Sequence, residues 1–266
     1  MSKVIAVANQ KGGVGKTTTC VNLAASLAAI HQHVLLIDLD PQGNATMGSG
    51  INKSQLVGSA NEVLLTDMEI NTAILVSSGG YEVLPANSDL TAAEVGLLQM
   101  TRREQRLLQA LNKIRGKYDY ILIDCPPSLN MLTVNALIAA DSVLIPMQCE
   151  YFALEGLTGL AKTIDELHNS ANPKLHIEGL LRTMFDGRNC LANEVSDQLI
   201  NHFGDKVYKT VIPRNVRLAE APSHGLPALV YDKNSPGAMA YLALAKEIVG
   251  RRANEFGKQE DLVAES

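Results

Sequence analysis

Short runs rich in Val, Ile and Leu punctuate the chain. Between them lie stretches in which apolar residues return every three or four positions. Residues 34–38 and 120–124 are apolar at each position up to a closing Asp. A run with no polar alternation suits a parallel strand covered on both faces. Residues 3–8, 81–85, 142–147, 177–184 and 207–212 read as further strands. Residues 17–30 place Val21, Ala24, Leu27 and Ala28 on one helical face. Residues 102–117 do the same with Leu107, Leu108, Leu111 and Ile114, and residues 238–251 with Leu242, Leu244, Ala245 and Ile248. Strands alternating with helices require crossovers, so the expectation is an α/β fold: a doubly wound, mostly parallel sheet with helices on both faces. Residues 41–80, rich in Gly, Asn and Ser, predict short helices and loops. No Pro/Ser-rich linker divides the chain. Residues 1–253 therefore read as a single domain, and residues 254–266 as a polar, flexible tail.

Composition narrows the class. Of 266 residues, 46% are hydrophobic, enough for a sizeable core. Aromatics are 4% and Trp is absent, which suits helices on an aliphatic sheet better than a β-sandwich or a base-stacking single-strand binder. Lys and Arg total 23 against 28 Asp and Glu, a formal charge of −5. That excludes a wholly basic nucleic-acid protein and leaves room for a local basic patch. Cys20, Cys125, Cys149 and Cys190 are far apart, so locally spaced zinc, iron–sulfur or disulfide frameworks are not expected. The N-terminus shows no secretory signal pattern and the apolar runs are far shorter than the roughly 20 residues of a membrane span, so a cytoplasmic protein is expected.

The chemistry concentrates in Gln10-Lys11-Gly12-Gly13-Val14-Gly15-Lys16-Thr17-Thr18, between a predicted strand and a predicted helix. Glycines let backbone N–H groups converge on phosphate oxygens, and the helix N-terminus adds its dipole. Lys16 supplies a point charge to the β and γ phosphates, and the Thr17 hydroxyl a Mg²⁺ ligand. No acidic residue precedes Asp38, so nothing in this segment competes for the lysines. The strand 120–124 ends in Asp124, a second Mg²⁺-binding carboxylate position. Asp38 and Asp40 follow another strand; Asp38 reads equally as a strand-end cap or as a ligand contact.

The loop departs from G-x-x-x-x-G-K-[ST]: its first glycine falls on Gln10, and an extra lysine stands at Lys11. In this it resembles the deviant Walker A P-loop ATPases, the family of ParA, Soj and MinD. The likeness to the chromosomal ParA/Soj branch extends through Gln42-Gly43-Asn44-Ala45-Thr46, Asp124-Cys125-Pro126-Pro127-Ser128, and the segments 146–156, 210–223 and 231–241. It implies a P-loop NTPase fold of deviant Walker A type. It also implies that Lys11 crosses a homodimer interface to the partner's nucleotide, that Asp40 positions the attacking water near Mg²⁺, and that Pro213 and Asn215 contact the adenine of ATP. Catalytic roles thus fall to Lys11, Lys16 and Asp40. Nucleotide contacts fall to Lys11, Gly12, Gly13, Val14, Gly15, Lys16, Thr17, Thr18, Pro213 and Asn215, and metal contacts to Thr17, Asp40 and Asp124.

The branch further implies an ATP-driven partition switch. An ATP-bound sandwich dimer binds double-stranded DNA without sequence preference, and a ParB-type protein stimulates weak ATP hydrolysis and release. Such binding needs only basic side chains against phosphates. Arg188 and Arg217 match DNA-binding positions, within a segment 182–217 that also holds Arg182, Lys206, Lys209 and Arg214 against four acidic residues. The chain begins at its first strand and is expected to lack the helix-turn-helix domain of repressor-type plasmid relatives. A membrane-positioning ATPase like MinD is the alternative. It would need a basic amphipathic C-terminal helix, but the tail has three basic side chains against four acidic ones, so no stable membrane association is expected. A metabolic P-loop enzyme is a second alternative that the fold permits.

Overall fold

The computed structural model describes residues 2–151 and 153–264. The strands are β1 (Lys3–Val7), β2 (Val34–Asp38), β3 (Leu75–Val76), β4 (Glu82–Leu84), β5 (Tyr120–Asp124), β6 (Ser142–Met147) and β7 (His176–Arg182). They form one sheet in the order β3-β4-β2-β5-β1-β6-β7, parallel throughout except for the two-residue edge strand β3. The helices are α1 (Lys16–Ala29), α2 (Asn44–Gly48), α3 (Ala60–Leu65), α4 (Ile70–Ala73), α5 (Leu90–Leu98), α6 (Arg106–Asn112), α7 (Met131–Ala139), α8 (Ala153–Ser170), α9 (Cys190–Phe203), α10 (Val216–Glu220), α11 (Ala228–Tyr231) and α12 (Pro236–Ala264).

The unbroken apolar strands follow from cores on both faces. Ile5, Val7, Leu36 and Leu122 point to one side, among Leu23 and Leu27 of α1 and Leu244 and Ile248 of α12. Their neighbours Val4, Ala6, Ile37 and Ile123 point to the other, among Leu111 of α6, Leu132 of α7 and Leu160 of α8. Each fully buried aliphatic side chain contributes about 1.5–3 kcal/mol. A polar residue inside either run would lose that on one face or the other.

Register places the chemistry. Val7 of β1 and Asp38 of β2 both stand level with Asp124 of β5. The chain leaves β1 toward β2 on one side, then crosses from β5 to β6 on the other, so the crevice at the strands' C-terminal ends lies at a topological switch point.

Two expectations are corrected. Residues 207–212 are not a strand; their ladder to β7 is broken, with one isolated bridge, Leu180 with Val207, and a second just beyond them, Phe185 with Pro213. The reason is competition for the backbone. The Glu247 carboxylate accepts the N–H groups of Lys209 and Thr210 (2.9 Å each), and the Arg182 guanidinium takes the carbonyls of Tyr208 and Lys209 (2.8 and 3.3 Å). Residues 102–117 are not one helix: Arg102 is left-handed (φ 52°), and 3₁₀ turns flank α6. Asn135 of α7 accepts the N–H of Leu107 and donates to the Arg103 carbonyl, bending the entry. α12 runs on to Ala264, across the segment from residue 254, and Glu265 and Ser266 lie outside the described residues.

Candidate nucleotide site

The loop after β1 is tied near both ends to the neighbouring strands by side-chain hydrogen bonds. Asn9 Nδ2 donates to the Pro146 carbonyl (2.8 Å), while Asn9 Oδ1 accepts the Lys11 N–H (2.9 Å). Thr183, just past β7, donates its hydroxyl to the Val14 carbonyl (2.8 Å). Between these pins Gly13 and Gly15 take left-handed backbone (φ 74° and 89°), which a side chain would strain. A Cβ at Gly12 or Gly13 would meet nothing within 4 Å, so the loop's outer face is open. α1 then begins at Lys16 with no acidic residue in its first turn, leaving its N–H groups and positive dipole end to an anion.

The two lysines are placed differently. Lys16 is buried, and its ammonium donates to the Lys11 carbonyl (3.2 Å). Burial pulls its pKa down; the neighbouring carboxylates of Asp124 and Asp40 work against this. Lys11 stands at the surface, 46% exposed, with its ammonium 2.5 Å from the carboxylate of Glu150.

The three carboxylates also differ. Both oxygens of the fully buried Asp38 serve backbone and hydroxyl donors: Thr46 N–H (2.8 Å), Thr46 Oγ1 (2.7 Å) and Asp40 N–H (3.1 Å). These contacts favour the capping reading, since Thr46 lies in the first turn of α2. Asp40 is half-buried and closes a turn by accepting the Gln42 N–H (2.9 Å), and its charge reaches Lys16 and Asp124. Asp124 is fully buried. Its Oδ1 accepts the Cys20 thiol (3.5 Å), and its Oδ2 has no hydrogen-bond partner. Burial first, then the charge of Asp38, pushes its pKa well above the carboxylate range, against hydrogen bonding from Thr17 and Cys20.

No cluster of three or more His, Cys, Asp or Glu that could hold a metal occurs among the described residues. Mg²⁺ does not need one: it binds through one or two carboxylates, phosphate oxygens and retained water. The orphaned Asp124 Oδ2 beside Thr17 fits that donor set.

Pro213 and Asn215 line a cavity of about 170 Å³ together with Gly15, Thr18, Met184 and Tyr241. Asn215 Oδ1 is buried there without a partner, a free acceptor for an amine. Met184 is left-handed (φ 49°), a strained backbone at the cavity wall. Gly15 and Thr18 of the loop thus share a cavity with Pro213 and Asn215, while Asp40 and Asp124 lie near Lys16 at the same end of the loop.

Arg188 and Arg217 lie outside that cavity's lining. Arg188 is exposed and forks onto Asp186 (2.9 and 2.7 Å). Arg217, half-exposed, bridges Glu220 (2.8 Å) and Asp232 (3.2 Å). Arg182 leaves the basic tally, because it is buried in the contacts described above. Asn9, Cys20, Glu150 and Thr183 were not legible as site residues; each acts through a partner remote in sequence. No helix among the described residues is long and apolar enough to cross a membrane.

A parallel sheet carrying this loop at its switch point defines a P-loop nucleotide-binding protein. A family model described as an AAA domain matches residues 2–177. The chain is 53% identical over 249 residues to the sporulation initiation inhibitor protein Soj of Bacillus subtilis, covering 93% of this chain and 98% of that one. It is 51% identical over 259 residues to the chromosome partitioning protein ParA of Caulobacter vibrioides, covering 96% and 97%. The crystal structure of cobyrinic acid a,c-diamide synthase from Mycobacterium smegmatis with bound ADP and magnesium superposes with a TM-score of 0.81 at 39% identity, covering 92% and 93%. The chain belongs to the ParA/Soj family of chromosome-partitioning P-loop ATPases.

Proposed function

We propose that this ATPase is a DNA-segregation switch: ATP joins two copies face to face, the dimer binds double-stranded DNA without sequence preference, and a ParB-type protein stimulates hydrolysis and release. The observation that carries the reading is Lys11. Its ammonium is half exposed and paired with the surface carboxylate of Glu150, next to glycines whose outer side is open, which supports its reaching a second copy.

In this reading the backbone from Lys11 to Thr18 (Gly12, Gly13, Val14, Gly15, Lys16 and Thr17 between them) cradles the phosphates. Lys16 serves the bound nucleotide in cis, and Lys11 serves the partner's in trans, as an arginine finger does. Thr17, Asp40 and Asp124 would hold Mg²⁺, which when bound draws charge from the β and γ phosphates. Asp40 orients the attacking water. Pro213 packs on adenine while Asn215 Oδ1 accepts its amino group. Arg188 and Arg217 exchange their carboxylate partners for DNA phosphates, and a two-fold axis doubles that footprint on an otherwise acidic chain. The protein then resides in the cytoplasm, on the nucleoid, without stable membrane association.

The cobyrinic acid synthase name on a 39%-identical structure keeps a metabolic reading in view. The partition names stand on relatives at 51% and 53% identity, which favours the switch. The test is ATP turnover of the wild type, Lys16→Ala and Asp40→Ala with DNA, with a ParB-type protein, and with both. Stimulation of the wild type by the pair supports the reading; indifference to both overturns it. Arg217→Glu separates the DNA step: retention on DNA beads in ATP should vanish while ATP binding persists.

A further inference from the structure

Cys20 sits on α1 one turn beyond Lys16, fully buried, with its sulfur 3.5 Å from Asp124 Oδ1. The other oxygen of that carboxylate, Oδ2, is buried and without a partner. A carboxylate turning about its terminal bond presents two equivalent oxygens, and a donor fixed on one of them makes them unequal. We infer that Cys20 is a positioning residue for the metal-binding carboxylate: the thiol proton occupies Oδ1, so Oδ2 is the oxygen turned to the cation. The inference rests on the reading of Asp124 as a Mg²⁺ ligand.

The residue type suits the task. Cys20 also packs with Val21, Leu23 and Leu36 in the core beneath the sheet, where a thiol behaves as a small apolar group. A serine in mid-helix tends to return its hydroxyl to the carbonyl four residues back. A thiol competes weakly for that carbonyl and so remains available to Asp124. Outer partners of this kind typically change metal affinity by about 10–100-fold when removed.

The experiment is a Mg²⁺ titration of fluorescent (N-methylanthraniloyl) ADP binding to the full chain, for wild type, Cys20→Ala, Cys20→Val, Cys20→Ser and Asp124→Asn. Nucleotide affinity in EDTA is measured alongside, and folding is checked by circular dichroism. Cys20→Ala and Cys20→Val should raise the half-saturating Mg²⁺ concentration by about 10-fold. Affinity in EDTA should be unchanged, and Cys20→Ser should fall between them and wild type. Cys20→Val fills the volume and reports if the alanine variant fails to fold. Titrations of both apolar variants that coincide with wild type, while Asp124→Asn abolishes the Mg²⁺ effect, overturn the inference alone. An equal loss of affinity in EDTA overturns it in favour of packing. A wild-type Mg²⁺ response in Asp124→Asn overturns the reading of Asp124 itself, and the inference with it.

Discussion

Replacing Asp124 by asparagine should stabilise the nucleotide-free protein while removing its response to Mg²⁺. Asp124 is fully buried, level with the equally buried Asp38 on the adjacent strand, and one of its oxygens has no partner. A buried polar group left unpaired costs about 1–3 kcal/mol, and more if charged. Burial and the Asp38 charge hold the folded carboxylate's pKa well above the usual range, whereas the unfolded side chain ionises near 4. The native state therefore binds this proton more tightly than the unfolded state does. Stability is full below about pH 4 and falls as pH rises toward the folded value. The amide has no such titration, and its carbonyl oxygen can still accept the Cys20 thiol. A gain of about 2 kcal/mol at pH 8 corresponds to a melting temperature about 4–8 °C higher for a chain of this size. Scanning calorimetry in EDTA without nucleotide, from pH 5 to 8, should show the gap between variant and wild type widening with pH. Adding Mg²⁺ and ATP should raise the wild-type melting point through ligand linkage and the variant's much less. A variant that melts at or below wild type at pH 8, or a gap independent of pH, would refute the reasoning.

Two further outcomes follow from the side-chain pins. Thr183→Val keeps the shape but deletes the hydrogen bond to the Val14 carbonyl. A loss of about 1 kcal/mol predicts roughly fivefold weaker ATP binding by calorimetry, and unaltered affinity would count against a pinned loop. Arg182→Met removes the donors to Ser196, Tyr208 and Lys209. It should destabilise the fold by about 3 kcal/mol in denaturant and speed hydrogen exchange at Tyr208 and Ile212, whose N–H groups bond to β7; unchanged exchange there would sink the account.

Much of the architecture was legible because both faces of the sheet are covered. Val34–Asp38 and Tyr120–Asp124 are strands with the bounds that their unbroken apolar pattern predicts. α1 differs from its expected span by one residue at each end, since glycine spacing and helical periodicity both mark its start. Residues 207–212 misled because Val, Tyr and Ile there fit a strand, while the groups that take its backbone sit on β7 and α12. The edge strand β3 is too short for any period to register.

The sequence by itself determined the sheet, the phosphate loop and the presence of carboxylates at its edge. Periodicity, glycine placement and a strand-ending Asp are local patterns, and local sterics and burial act on them directly. Only the tertiary structure decided what each carboxylate contacts. Asp38 and Asp124 end similar apolar strands at the same level, yet Asp38 meets the donors of Thr46, eight residues on, and Asp124 meets a thiol 104 residues away. A hydrogen bond formed by packing leaves no local pattern in the chain. That long-range partner, and the oxygen it leaves without a hydrogen bond, set Asp124 apart from the capping Asp38.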